Sequence, residues 1–456
     1  MGTVAEKPRP TRRRRRRVDA TRAASGPLWR VYLRALGPGL ITGASDDDPS
    51  GIATYAQAGA SFGFGLLWTS LLTFPLMATV QEICDRTALA TGQGIGELAT
   101  RSLGSKSRAV IAVLLGILII ANAVNIAADL VAVGSGMHLL HAGPTTIWAP
   151  IAGAGISVLV MSGSFDFVAR VFKLLCLALF SYIAMLFIVH INWASVATAT
   201  FAPHLQGSST YLGLLVAVLG TTISPYLFFW QSLHRVEEMR DEPEGGSKPE
   251  PLRNRGDRAA QRKQRTSRFD VLGGMAFSNI VMFAIIVTTA VTLGKHGKNN
   301  IQSASEAASA LQPIAGQSAS VIFALGFIGA GMLAIPVLAG AGSAGLAGLL
   351  GKSVGFSRSP RHAPVFYALV LLGTFGGSAL SLIGVNPIRL LVFVAAINGV
   401  AAAPFLVLVM LIAGDKKIMG DYVNGKLARV VGWSTAALMS AAAVVLFAFA
   451  GGGGLY

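Results

Sequence analysis

Charge is what this chain has least of. Asp, Glu, Lys and Arg make up 13% of its 456 residues, about half the share of a soluble globular domain. Too few charges remain to clothe a water-facing surface, which excludes the soluble classes. Cysteine is nearly as scarce. Cys84 and Cys176 are the only two, each in or beside a separate apolar run, so a disulfide framework and a thiol metal centre are excluded and both read as packing residues. The seven histidines form neither HxxxH nor HExxH, which leaves a zinc hydrolase site unsupported. His138, His141, His190, His204 and His296 fall at predicted outer loops, and His234, near Glu237 and Glu238, reads as interfacial. Gly351-Lys352-Ser353 ends like a phosphate loop, but no GxxxxGK[ST] forms, and Gly340–Gly351 reads as close helix packing. No catalytic constellation is visible, so neither an enzyme nor a cofactor is expected. The arginine run has no apolar core directly after it, so no secretory signal is expected.

Apolar sequence fills the space. Hydrophobic residues make up 53% and the mean hydropathy is +0.61. Runs near twenty residues recur from Leu36 to Phe449, the length a helix needs to cross a bilayer. Eleven spans are predicted, at approximately 36–59, 66–90, 109–137, 146–163, 170–190, 211–238, 270–294, 319–343, 364–384, 388–413 and 429–450. The net charge of +16 is concentrated in Arg12–Arg17, in Arg240–Arg268 and in short loops. With the N-terminus inside, predicted inner loops hold Arg86, Arg101, Lys106, Arg108, Arg170, Lys173, the Arg240–Arg268 segment, Lys352, Arg358, Arg361, Lys416, Lys417 and Lys426. Outer loops hold Lys295, Lys298 and Arg389. This asymmetry orients the chain, and Trp29, Trp68, Trp148 and Trp193 sit near span ends, as an interfacial belt requires. Residues 1–30 are expected to be a disordered, basic, cytoplasmic tail, drawn to anionic headgroups rather than to nucleic acid. Residues 31–450 form one membrane domain, and 240–269 reads as a cytoplasmic linker between its halves.

Two places break this pattern. Gly37-Pro38-Gly39-Leu40-Ile41-Thr42-Gly43-Ala44-Ser45-Asp46-Asp47-Asp48-Pro49-Ser50-Gly51 sets three carboxylates and a Pro-Ser-Gly break in the middle of the first span. Charges at that depth face a cavity or a pathway, and broken backbone survives there only when it is buried in protein or lines one. The sixth span carries Gly220-Thr221-Thr222-Ile223-Ser224-Pro225-Tyr226. Pro49 and Pro225 lie five spans apart, as expected for inverted repeats that each begin with a discontinuous helix, whose freed carbonyls meet at a central ion site. Oxygen-only donors suit hard divalent ions such as Mg²⁺ or Mn²⁺. Asp48, directly before the proline, is the favoured ligand. Asp46 and Asp47 read either as a cation-attracting vestibule or, for one of them, as the cap of the second half-helix.

These residues resemble the Nramp divalent-metal transporters, whose first helix carries GPG followed by DPGN. Here Gly37-Pro38-Gly39 precedes Asp48-Pro49-Ser50-Gly51. The resemblance extends through Gln81 and Thr91-Gly92, the sixth span, and Met419-Gly420-Asp421-Tyr422 with Asn424. It implies a LeuT-like five-plus-five inverted repeat, all-α and polytopic, with discontinuous helices 1 and 6 and an eleventh helix. It also implies a metal site at Asp48, Gly51, Thr221 and Ser224. The family's Asn is Gly51 here, its Ala carbonyl belongs to Thr221, and its Met thioether is replaced by Ser224. A thioether selects transition metals, and Mg²⁺ prefers to keep waters. A wider, oxygen-only site therefore tilts toward Mg²⁺ and toward the Nramp-related magnesium transporters, with Mn²⁺ still open. The family's sixth-helix histidines fall at Tyr226 and Gln231, neither of which titrates near neutrality. Asp129 matches an acidic proton-path position and reads either as a relay or as a partner for another span; an aspartate expected one turn earlier is replaced by Asn125 or Ile126.

The expected function is divalent-cation uptake by alternating access across the plasma membrane, proton-coupled or driven by the gradient alone. The rivals are a same-fold sodium-coupled permease for an organic substrate and a metal sensor that does not transport. The expected partners are the cation and the lipid bilayer, with no nucleic acid. Asn386 and Asn398, at span ten, read as interhelical hydrogen-bonding groups.

Overall fold

The protein is described by a computed structural model that covers residues 38–102, 105–161, 171–172, 174–203, 205–242, 249–294, 301, 318–382 and 387–450. The basic tail with Arg12–Arg17 and Trp29 lies outside the described residues, as does Asn386. Among the described residues every regular element is helical.

The first predicted span is two half-helices, α1 (Pro38–Asp46) and α2 (Pro49–Phe62). Then come α3 (Thr69–Thr91), α4 (Ile95–Ser102), α5 (Ser105–Leu139) and α6 (Thr145–Met161). A 3-10 turn at Cys176–Leu179 leads into α7 (Phe180–Ile188), and the chain bends by 119° into α8 (Trp193–Phe201). The sixth span is again a pair, α9 (Ser209–Thr222) and α10 (Pro225–Asp241). The rest is α11 (Asp257–Thr292), α12 (Ser318–Leu349), α13 (Pro364–Ser381), α14 (Pro387–Gly414), the short α15 (Lys416–Met419) and α16 (Lys426–Ala450).

Seven of these stretches are long and apolar enough to cross a membrane, or eight if the bent pair is one span. The elements at the first, second, fourth and fifth predicted spans are broken, short, bent or carry several charges. The seventh differs at its edge, since α11 begins at Asp257 rather than near 270. Its polar first turns lie against α10 because their charges are matched there. Lys263 meets Glu238 at 2.8 Å and Glu242 at 2.5 Å, and Arg255 meets Glu242 at 2.7 Å. Leu252 and Ala260 pack with Leu89 and Met239 in a small apolar cluster beneath.

Packing follows the repeat. α1 and α2 lie on α11, as α10 lies on α3, while α5 and α12 pair with each other. Close approach is bought with glycine. A Cβ on Gly43 would lie 2.1 Å from the Gly274 carbonyl oxygen, and one on Gly220 would lie 2.2 Å from that of Ala395. Small residues at helix contacts let backbones touch, and here they fix α1 against α11 and α9 against α14. The apolar stretch of Ser209–Asp241 is 89% buried, against 28% for Lys426–Leu446. The broken sixth span is therefore central and α16 peripheral. Leu427, Val430 and Val444 on α16 are exposed, a surface suited to lipid tails rather than to water.

Candidate functional site

The site begins with a helix that cannot continue. Pro49 has no N–H to donate and suits the first turn of a helix, so α1 ends at Asp46 and α2 starts afresh at Pro49. Asp48 caps the new helix. Its backbone is extended, and its Oδ1 accepts from the Gly51 N–H at 2.8 Å and the Ser50 hydroxyl at 2.5 Å. Of the two roles weighed for Asp46 and Asp47, the capping one thus falls to Asp48 itself. Pro225 does the same in the sixth span, where α9 ends at Thr222 and α10 starts at Pro225.

The two breaks meet. Tyr226 at the start of α10 places its hydroxyl 3.2 Å from the Ser45 carbonyl oxygen and 3.3 Å from Asp48 Oδ2. The Ser50 and Thr221 hydroxyls are 3.4 Å apart, and Tyr55 reaches Thr222 at 3.1 Å. Gly51 brings no side-chain oxygen. A Cβ there would lie 3.2 Å from both Thr221 Oγ1 and the Asp46 carbonyl oxygen, so its role is close approach. The Thr221 carbonyl is at the break and accepts from the Ser224 hydroxyl at 2.8 Å. That hydroxyl also lies 2.8 Å from the Gly220 carbonyl oxygen and ties off the end of α9.

The remaining predicted residues divide between two places. Asp46 and Asp47 turn to α11, where Ser278 Oγ is 2.9 Å from Asp46 Oδ2 and 3.3 Å from Asp47 Oδ1. Asp129 on α5 is fully buried, and neither of its carboxylate oxygens has a hydrogen-bond partner among the described residues. Gln231 is elsewhere. Its side-chain amide donates to Asp85 at 2.7 Å, part of a network at the end of the bundle where α1 begins.

That network is what sequence reading missed. Arg86 pairs locally with Glu82 at 3.2 Å, whereas its sequence neighbour Asp85 pairs with Arg235 at 2.5 Å. Arg235 is 1% exposed and also reaches Asp270 at 2.9 Å and Glu238 at 2.6 Å. Asp270 in turn accepts from the Gly39 and Leu40 N–H groups at 2.8 and 3.2 Å, and Ser267 donates to Asp85. A buried arginine thus joins α3, α10 and α11 and holds the start of α1. The sequence signal was available: Gln231, Arg235 and Glu238 recur at helical spacing on a face that has to be buried. His234 is also buried, its ring centroid 5.3 Å from that of Trp230, rather than interfacial.

Every side chain at the crossing of the breaks is at most 1% exposed. The arrangement is a water-excluded crossing with one capping carboxylate, main-chain oxygens freed by two helix breaks, and hydroxyls. Such donors suit a hard cation.

The sequence profile of the Nramp family, described as natural resistance-associated macrophage protein-like, matches residues 39–449. The chain belongs to the Nramp family. With the family comes its class of function, the transport of divalent metal cations. Solved structures agree on the fold. A variant of the Eremococcus coleocola manganese transporter superposes with a TM-score of 0.71 at 15% identity, over 92% of this chain and 87% of that one. The same transporter in complex with an aromatic bis-isothiourea compound gives 0.70 at 16%, over 92% and 87%. The nucleobase-cation-symport transporter Mhp1, in a closed conformation, gives 0.54 at 13%, over 90% and 92%.

Proposed function

We propose that this Nramp-family chain carries Mg²⁺ or Mn²⁺ into the cytoplasm by alternating access across the plasma membrane, with Asp48 as the chief ligand. The observation that carries the reading is the meeting of the α1–α2 and α9–α10 breaks around the Asp48 carboxylate, with every participating side chain buried. Oδ1 is occupied by the cap, whereas Oδ2 has only the longer contacts to Tyr226 at 3.3 Å and Asn125 at 3.5 Å. Oδ2 is therefore the oxygen that a cation takes, with the Thr221 carbonyl at the second break, where it accepts from Ser224, as a further donor.

The donors favour Mg²⁺ of the two ions. Ser224 stands where a thioether would select transition metals. Gly51 supplies no side-chain ligand, so one place in the ion's shell falls to retained water, which Mg²⁺ demands. The crossing is closed in this conformation, so the ion enters and leaves by movement of the half-helices. The end held by Arg235 is assigned to the cytoplasm, in keeping with the basic loops on that side. The chain then acts as a carrier, not an enzyme, and needs no cofactor.

The test is flux into proteoliposomes with Mg²⁺ and Mn²⁺ offered separately and together, internal pH followed by a dye, and Asp48→Ala run in parallel. The reading expects Mg²⁺ entry that the substitution abolishes. Entry of Mn²⁺ alone, accompanied by acidification, would overturn the preference for Mg²⁺. Undiminished flux in Asp48→Ala would overturn the site.

A further inference from the structure

Two broken helices, α1–α2 and α9–α10, give the site two walls. A third element faces it. Asn125 on α5 is fully buried, its Nδ2 is 3.5 Å from Asp48 Oδ2, and its Oδ1 has no hydrogen-bond partner among the described residues. One helical turn along the same face is Asp129, also fully buried, with both carboxylate oxygens unpartnered. The backbone places that turn against the first break. A Cβ on Gly331 of α12 would lie 3.1 Å from the Asp129 carbonyl oxygen and 3.5 Å from Pro49 Cγ. The glycine therefore lets α12 seat α5 directly beside the α1–α2 break, and α5 also touches α2 itself.

Three oxygens on one helix face are thus buried near Asp48 without a hydrogen-bond partner among the described residues. Burying an unpaired carboxylate costs far more than burying an amide, and buried charges are normally paired or bound to metal. Asp46 and Asp47 at least share Ser278, whereas Asp129 has no such group. We infer that α5 forms the third wall of the cation site, with the Asn125 amide oxygen and the Asp129 carboxylate ligating the transported divalent cation beside Asp48, directly or through one of its waters. This rests on the proposed function above.

The donor types agree with a hard divalent ion: carboxylates from Asp48 and Asp129, with neutral oxygens from Asn125 and the Thr221 carbonyl. The account also gives α5 a role in the cycle. An ion held between α5 and the breaks pulls a long, continuous helix against two movable ones, so the closed site is stabilised by its cargo.

The experiment measures Mg²⁺ and Mn²⁺ binding to the purified full chain in lipid nanodiscs by calorimetry, alongside proteoliposome flux across a range of pH. Asp129→Asn is nearly isosteric and removes a buried charge, so the fold is expected to persist, and thermal stability checks this. Even a group that acts on the ion through a neighbouring ligand or water is worth about 10–100-fold in affinity, and Asp129→Asn is expected to weaken both ions by at least about 10-fold at every pH. Asn125→Asp in the Asp129→Asn background returns a carboxylate to the same face and is expected to recover most of the loss. An unchanged Kd in Asp129→Asn, with only the pH profile of flux altered, would make Asp129 a proton relay and overturn the inference. Loss of binding in Asp48→Ala, with none in Asp129→Asn or Asn125→Leu, would leave the proposed site intact and remove α5 from it. Unchanged binding in Asp48→Ala would instead sink the site reading itself, and the inference with it.

Discussion

Arg235→Leu should be the most damaging single change at the proposed cytoplasmic end. The guanidinium is 1% exposed and lies 2.5 Å from Asp85 and 2.9 Å from Asp270, whose side chains are 3% and 0% exposed. Glu238 keeps Lys263 at 2.8 Å, so the loss falls on the other two carboxylates. Removing one partner of a buried pair costs about 3–5 kcal/mol, because a charge is left without compensation. Spread over 456 residues with an unfolding entropy of about 2.1 cal/mol/K per residue, that is a fall in melting temperature of about 3–5 °C. Adding Asp85→Asn and Asp270→Asn to Arg235→Leu tests the cause. Each amide oxygen can still accept from one of the donors its carboxylate held, Ser267 or Gln231 at position 85 and Gly39 or Leu40 at position 270, and the uncompensated charges are gone. Thermal unfolding of the three-fold variant in detergent is expected to recover at least half of the loss. If it is no more stable than Arg235→Leu alone, electrostatics is not what Arg235 contributes, and the network is held by packing of its stem.

Other consequences follow from single contacts. Ser224→Met restores a thioether at the second break and is expected to raise the preference for Mn²⁺ over Mg²⁺ several-fold in competition flux; an unchanged ratio would show that position 224 does not face the ion. Tyr226→Phe deletes the hydroxyl near Ser45 and Asp48, and losing one such hydrogen bond, about 1 kcal/mol, corresponds to roughly a fivefold rise in KM for flux. Gly43→Ala puts a Cβ 2.1 Å from the Gly274 carbonyl oxygen. The resulting overpacking, about 1–3 kcal/mol, should push α1 from α11 and slow transport, whereas the same change at Gly414, where a Cβ meets nothing within 4 Å, should leave flux unaltered.

The first break was legible because a bilayer punishes what Asp46-Asp47-Asp48-Pro49 does to a helix, and only a few arrangements can repay that cost. Pro225 gained meaning from its distance to Pro49, not from its own neighbourhood. The partners of these residues were not legible. Nothing in sequence spacing brings Ser278 to Asp46 or Tyr226 to Asp48; those meetings depend on the Gly39, Gly43 and Gly274 contacts that set how near α1 lies to α11. The same limit hid the reach of Arg235 to Asp85 and Asp270, since an Asp-Arg neighbour pair in sequence invites a local reading that three-dimensional packing overrides. The polar stretch before residue 270 read as linker because charge without apolar periodicity looks solvated. Its helix from Asp257 is held by the ion pairs of Lys263 with Glu238 and Glu242 at the end of α10.

The central claim is that a divalent cation sits where the two broken helices cross. The most direct measurement is the anomalous scattering of Mn²⁺ in crystals of the full chain, with Mg²⁺ then titrated against it. The account predicts a single strong peak within ligand distance of Asp48 Oδ2 and the Thr221 carbonyl oxygen, lost in Asp48→Ala and displaced by Mg²⁺. A peak at Asp46, Asp47 and Ser278 with none at Asp48 would contradict it.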